Sequence, residues 1–426
     1  MRRARGFLSG LAVAAVLAGG MDVVAPVPAA AQAKPAELKI GIVSFLSGAA
    51  AVFGVPGRNA AEWLIDKYNR EGGIGGVKIR PVYIDEAGGA EKQVAEFRRL
   101  VLDEKVDLVI GYISSADCLA VAPVAEELRV LTVLFDCGTK RIFEDSKYKY
   151  VFRTKAHEAL DNVAAARYVL AMKPDVKTIA GINQDYAWGR DSWDTFKRAM
   201  QKLKPDIQVA AELWPKLLAG EYSAEISRLL ILKPDVIHSS FWDGDLIGLV
   251  KQGAPRGLFG QSLVVFTPGE HMLQDVGKDM PEGVVLGARG DHWFLQTPND
   301  PIHKEFVDGY RAKYGRYPVY PSYHMYQAVA GVKAVYEKAT KDAGGKWPTP
   351  DQVIKAFEGI EYRVPPGRTM VIRADHNGIE PAIIGVTKQT GQYPFAVLDK
   401  VRVFPPDEVN PPLGMKTNDW IDSWKK

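Results

Sequence analysis

The residues of this chain that could do chemistry are hydroxyls, small residues and aromatics placed just after apolar runs. Gly111-Tyr112-Ile113-Ser114-Ser115-Ala116-Asp117-Cys118 follows the run 106–110 and leads into a helical pattern over 119–128. Hydroxyls and amides at a helix N-terminus favour an anion such as a carboxylate, and they serve equally as an ordinary N-cap. Asp136-Cys137-Gly138-Thr139 follows the run 131–135. Further on, Gln184-Asp185-Tyr186-Ala187-Trp188-Gly189, Ser239-Ser240-Phe241-Trp242-Asp243 and Thr267-Pro268-Gly269-Glu270 end three more apolar runs. Together with Phe53, the rings of Tyr112, Tyr186, Trp188, Phe241 and Trp242 could wall one cleft. Ligand sites are mostly apolar with a few convergent polar groups, so the chemistry in view is binding.

Catalytic signatures are missing from the sequence. There is no Gly-x-Ser-x-Gly elbow, no phosphate-binding Walker loop and no His-Glu-x-x-His. The 7 histidines are scattered, none at metal-ligand spacing from another His or a Cys. No catalytic residue, metal or cofactor is expected. Gly72, Gly73, Gly75 and Gly76 do not form Gly-x-Gly-x-x-Gly and precede a strand, so they read as a helix C-cap and tight turn.

The elements that must position these residues alternate between strand and helix. Apolar runs at 38–43, 79–84, 106–110 and 131–135 read as strands. Helical spacing links Ala60, Ala61, Leu64, Ile65 and Tyr68, and then Val94, Phe97, Leu100 and Val101. A βαβαβα series implies a doubly wound parallel sheet, whose ligands sit at the carboxyl ends of its strands. A second series follows residue 154, with strands expected at 178–182, 209–213, 236–239, 264–267 and 284–286. Helices are expected between them at 162–172, 192–203, 224–232 and 246–252. Helices at 300–314 and 324–339, strands at 382–387 and 395–403 and a proline-marked irregular end complete the chain. These last elements could return to complete both halves.

Length suits two domains: 426 residues, 47% hydrophobic and 25% charged. A net charge of +3 without a long basic run argues against nucleic acid. Arg2, Arg3 and Arg5, the apolar stretch 7–20 and Ala31-Gln32-Ala33 read as a signal peptide over 1–33, cleaved on export. Cys118 and Cys137 are either a disulfide or two buried thiols. An even count in an exported chain favours the bridge, and neighbouring parallel strands would bring the two loops together.

Lys39-Ile-Gly-Ile42, Leu46-Ser-Gly48, Asn69-Arg-Glu-Gly-Gly-Ile-Gly-Gly76 and Asp85 stand in order. Gly111 with Ser114-Ser115, Asp185-Tyr-Ala-Trp-Gly189 and Ala374-Asp-His-Asn-Gly378 follow. In that order and spacing the chain, over about 36–400, resembles the type I periplasmic binding proteins of the leucine/isoleucine/valine-binding branch. The resemblance implies two Rossmann-like lobes, each a parallel sheet flanked by helices, joined by three crossovers. The first lobe would take 36–153 and 290–363, the second 154–289 and 364–404, with 405–426 as a tail. It implies a periplasmic monomer that closes on a small solute and presents it to an ABC permease.

In that family the serine loop and the next strand's loop hold a ligand carboxylate, here Ser115 and Cys137 to Thr139. Phe53 corresponds to a first-loop aromatic, and Tyr186 and Phe241 to second-lobe aromatics. The second-lobe carboxylate that meets an α-ammonium has Gly269, not Glu270, at its position. An aromatic or aliphatic carboxylate, or an amide, therefore suits the cleft better than an α-amino acid. The candidate ligand-binding set is Phe53, Tyr112, Ser114, Ser115, Cys137, Gly138, Thr139, Tyr186, Trp188, Phe241, Trp242 and Glu270. A sensor partner feeding a receptor is the alternative within the fold; an exported α/β enzyme is the alternative outside it.

Overall fold

A computed structural model describes residues 34–294 and 300–425. The signal peptide expected at 1–33 lies outside the described residues. The first sheet is built from β1 (Glu37–Ser44), β2 (Lys78–Asp85), β3 (Leu108–Gly111), β4 (Thr132–Leu134) and β5 (Val151–Arg153), all parallel in the order β2-β1-β3-β4-β5. The second lobe opens with β6 (Thr178–Ile182), β7 (Gln208–Leu213), β8 (Val236–Ser239), β9 (Leu263–Phe266) and β10 (Val285–Gly287). A small antiparallel sheet of β11 (Glu361–Val364), β12 (Arg368–Ile372) and β13 (Gly378–Ile379) comes next. β14 (Ala382–Lys388) and β15 (Val397–Phe404) then join the second sheet antiparallel, giving β15-β14-β10-β9-β8-β6-β7.

The central strands are apolar without alternation because helices cover both faces. β3, β4, β8 and β10 are buried at every residue. β15 lies at the sheet's edge, buried at its ends and partly or fully exposed from Asp399 to Val403. Helices Pro301–Tyr314 and Tyr320–Asp342 pack on helix Ala51–Arg70 beside the first sheet. Trp63 meets Phe306 at 5.5 Å, and Tyr314 Oη donates to Asn59 O at 2.9 Å.

Most expected strands lie within a residue or two of the observed ones, and most differences fall at helix starts. Helices Ala187–Leu203, Asp243–Gly253 and Tyr320–Asp342 begin earlier than the apolar spacing implies. Their first turns carry Trp188, Asp243 and Ser322, which face loops and clefts instead of the sheet and so break the periodicity. The glycine turn is structural: Gly72, Gly73, Gly75 and Gly76 all have positive φ, and Gly73 N donates to Tyr68 O at 2.8 Å.

The tail is more ordered than its prolines suggested. Pro406 begins a short helix, Pro406–Val409. Helix Thr417–Ser423 then spans the two lobes. Thr417 N donates to Glu144 at 2.9 Å and Lys416 pairs with Asp145 at 3.2 Å, on the segment after β4. Asn418 Nδ2 donates to Asp194 at 3.0 Å and Asp422 pairs with Arg198 at 2.9 Å, on helix Ala187–Leu203 after β6.

The expected disulfide is not formed. Cys118 and Cys137 are both buried free thiols. The adjacency of β3 and β4 does bring them together, but their side chains meet as hydrogen-bond partners. They sit in an apolar cluster with Phe97, Tyr112 and Val121. Burial there pushes the Cys118 thiol up, away from the thiolate that disulfide chemistry needs.

Candidate functional site

The two lobes meet over a narrow, nearly closed cleft whose free volume, about 10 Å³, has room for about one water. Phe53, Ile113, Ser115, Asp136 and Gly138 line it from the first lobe; Tyr186, Trp188, Trp242, Pro268 and Arg289 line it from the second. Apart from Phe53, in the first turn of the helix after β1, each follows the carboxyl end of a parallel strand. β3 delivers Ile113 and Ser115, and β4 delivers Asp136 and Gly138. β6, β8, β9 and β10 deliver the four second-lobe segments. That is where an open parallel sheet leaves a crevice.

A period of two along each extended loop decides which residues face the cleft. Ile113 and Ser115 line it, whereas Tyr112 is fully buried behind, against Cys118 and Val121, and Ser114 caps helix Ser115–Leu128 by accepting from Asp117 N at 3.4 Å. Asp136 and Gly138 line it, whereas Cys137 points back beside Cys118. Trp242 lines it, whereas Phe241 packs inward on Tyr222 at 5.1 Å.

Six candidates are thus brought together: Phe53, Ser115, Gly138, Tyr186, Trp188 and Trp242. Six are not in the lining: Tyr112, Ser114, Cys137, Thr139, Phe241 and Glu270. Thr139 Oγ1 instead donates to Asp191 at 2.6 Å. Glu270 is spent on His292 Nδ1 at 2.7 Å and on Tyr320 N, which donates to it at 3.0 Å.

The aromatic walls interlock. Trp242 stands edge-on to Phe53 at 5.2 Å, and its Nε1 donates to Tyr186 Oη at 2.7 Å. Trp188 Nε1 donates to Ser240 O at 2.8 Å, which fixes the indole against Gly138. Ser115 Oγ accepts from Thr139 N at 3.2 Å, leaving its own O–H to donate into the cleft. The amides just upstream, Ile113 N and Ser114 N, both donate to the buried Glu86 carboxyl at 2.8 Å.

Sequence reasoning missed Arg289 and the acid it meets. Arg289 is 4% exposed. Its NH1 donates to Asp136 at 2.6 Å and its Nε to Asp161 at 3.1 Å. Its guanidinium lies 4.8 Å from the Trp188 ring centroid and 5.5 Å from that of Tyr320. Asp136 also receives His324 Nδ1 at 3.0 Å and Lys155 Nζ at 3.5 Å. His324 Nε2 lies 2.9 Å from Arg289 O, so both ring nitrogens face acceptors. Burial alone would lower the His324 pKa, but the Asp136 carboxylate raises it past that, which fits an imidazolium. The signal was available: Ala288-Arg289-Gly290-Asp291-His292 follows an apolar run, as the other cleft segments do.

Among the described residues, Asp291, His324 and Glu380 have the spacing of a metal site. Their ligand atoms are engaged within the protein. Asp291 and Glu380 accept from Arg368 at 2.7 and 2.8 Å, and both His324 nitrogens are paired as above. The cluster is a buried ion network behind the cleft.

The sequence pattern described as periplasmic binding protein matches residues 37–392. The chain belongs to the periplasmic binding protein family. Among curated members, a Leu/Ile/Val-binding protein homolog 6 of Brucella melitensis is 25% identical over 344 residues, covering 80% of this chain and 84% of that one. A leucine-, isoleucine-, valine-, threonine- and alanine-binding protein of Pseudomonas aeruginosa is 23% identical, covering 78% and 84%. Among solved structures, an ABC transporter solute-binding protein of R. palustris in complex with benzoate superposes with a TM-score of 0.75 at 18% identity, covering 88% of this chain and all of that one. A leucine-binding protein of Thermotoga maritima superposes with a TM-score of 0.74 at 18% identity, covering 87% and 99%. This periplasmic binding protein shares its fold with both.

Proposed function

We propose that this chain is the solute-capturing component of an ABC importer: a binding protein and not an enzyme, exported to the periplasm, holding a small solute between its lobes. The observation that carries the reading is the cleft itself. Strand-end loops of both lobes converge on one aromatic-lined space, with Gly138 seated on Trp188 and Gly244 on Ala49 across it. Family relatives named for branched-chain amino acids and neighbours crystallised with benzoates support a small solute.

The first lobe takes 36–153 and 290–363, and the second 154–289 and 364–404. Helices 301–314 and 320–342 resting beside the first sheet, with β14 and β15 in the second, support that division. Solute enters an open form resting on one lobe, and contacts from the other lobe stabilise the closed form.

A thermal-shift screen of the mature chain over amino acids, aromatic acids and amides should give a hit, because bound solute stabilises by mass action. Small-angle scattering with that hit should show compaction. Compaction by no solute in the panel would sink the closure reading.

A further inference from the structure

We propose that Arg289 is the anion anchor of the cleft, so that the captured solute is a monoanion with a carboxylate on a flat apolar body, and not a zwitterion or an amide. The inference rests on the solute-capture reading and names the substrate class of that same cleft.

Arg289 lines the space, is almost wholly buried, and uses NH1 and Nε on acids, while its NH2 has no partner. A guanidinium nitrogen buried without an acceptor is costly, and a solute oxygen would satisfy it. The acids beside it are occupied: Asp136 is shared by Arg289, Lys155 and His324, and Asp161 takes Arg289 Nε at 3.1 Å.

The same arrangement disfavours an ammonium. The one acid lining the cleft among the described residues, Asp136, is already engaged by Arg289, His324 and Lys155. Trp188 lies against the guanidinium at 4.8 Å, and with Trp242 and Phe53 it offers faces and edges for a flat ring. Ser115, across the cleft, supplies a second donor from the first lobe. A carboxylate reaching both Arg289 and Ser115 would tie the lobes together.

The test is calorimetric titration of the mature chain with benzoate and with benzamide, equal in ring and size but different in charge, and with leucine as the zwitterion. Benzoate should bind at least about 30-fold more tightly than benzamide. Arg289→Gln should abolish that preference, and Arg289→Lys should keep part of it. Equal binding of the pair by the natural protein, or binding of leucine or benzamide in preference to benzoate, overturns the anion anchor and leaves solute capture standing. A benzoate preference that survives in Arg289→Gln overturns the assignment to Arg289. Heat from none of the three overturns the anion anchor, and compaction by no solute of the wider panel overturns solute capture as well. The wild-type comparison needs no variant to fold.

Discussion

Gly138→Ala should separate closure from folding. A Cβ at Gly138 would lie 2.2 Å from Trp188 Cζ3 and 2.3 Å from Cε3, against 3.4–4 Å for ordinary contact. The indole would have to retreat by roughly 1.2 Å. It is held by Nε1 donating to Ser240 O at 2.8 Å and by the Arg289 guanidinium over its face. The loop cannot yield instead, because Arg153 donates to Cys137 O and Thr139 O at 2.9 and 2.7 Å on either side of the glycine. Overpacking of this kind costs about 1–3 kcal/mol and a lost hydrogen bond about 1 more. The closed form should therefore be destabilised by about 2–4 kcal/mol, a loss of about 30- to 1,000-fold in affinity.

Gly138 is not among the residues with positive φ, so alanine adds no backbone strain, and in an open form the methyl meets no indole. The assay pairs calorimetric affinity for a screened solute with the denaturant midpoint of the solute-free chain. Affinity should fall while the midpoint holds. In the double variant with Trp188→Ala, the alanine at 138 should cost nothing further. Wild-type affinity, or a midpoint that falls as far as the affinity does, would refute the reasoning.

Three further outcomes are expected. Ser115→Ala should weaken a carboxylate solute by about 1–3 kcal/mol, and unchanged affinity in calorimetry would remove that hydroxyl from the site. Phe241→Ala should lower the unfolding free energy of the solute-free chain by about 3–5 kcal/mol, since the ring is core; an affinity loss without a stability loss would show that it reaches the solute. Stability should also fall on acidification. Burial pushes His271 down to about 4 and His238 to about 3 from 6.5, so between those values the unfolded chain binds more protons than the folded one. The stabilisation is present above pH 6.5 and is lost as pH falls towards 4 and 3, at roughly 3 kcal/mol for His271. His271→Gln should flatten the slope of Tm against pH over that window, and an unchanged slope would rule out His271 as its source.

The parallel strands were legible because they are short apolar runs between turn residues, and β3, β6 and β8 fall within two residues of where the sequence places them. The loops were legible for the same reason: they begin where the apolar runs stop. Which residue in each loop faces the cleft was not legible. That depends on the phase of an extended backbone, so Ile113 replaces Tyr112, and Asp136 and Gly138 are taken where Cys137 is not. Arg289 was missed because an arginine after a strand reads as surface, and only the tertiary packing of Asp136, Asp161 and Trp188 around it makes it buried.

The helix at 417–423 changes what kind of joint the protein has. Two bodies linked by crossovers alone can swing widely. A further attachment, bonded to Glu144 and Asp145 on one side and to Asp194 and Arg198 on the other, turns the swing into a joint of limited travel. To open, the chain must tear this strap from one side or stop at the angle it allows. The strap lies beyond the segment that matches the family, which ends at 392. How long a solute stays would then be set partly by a clasp that never touches it.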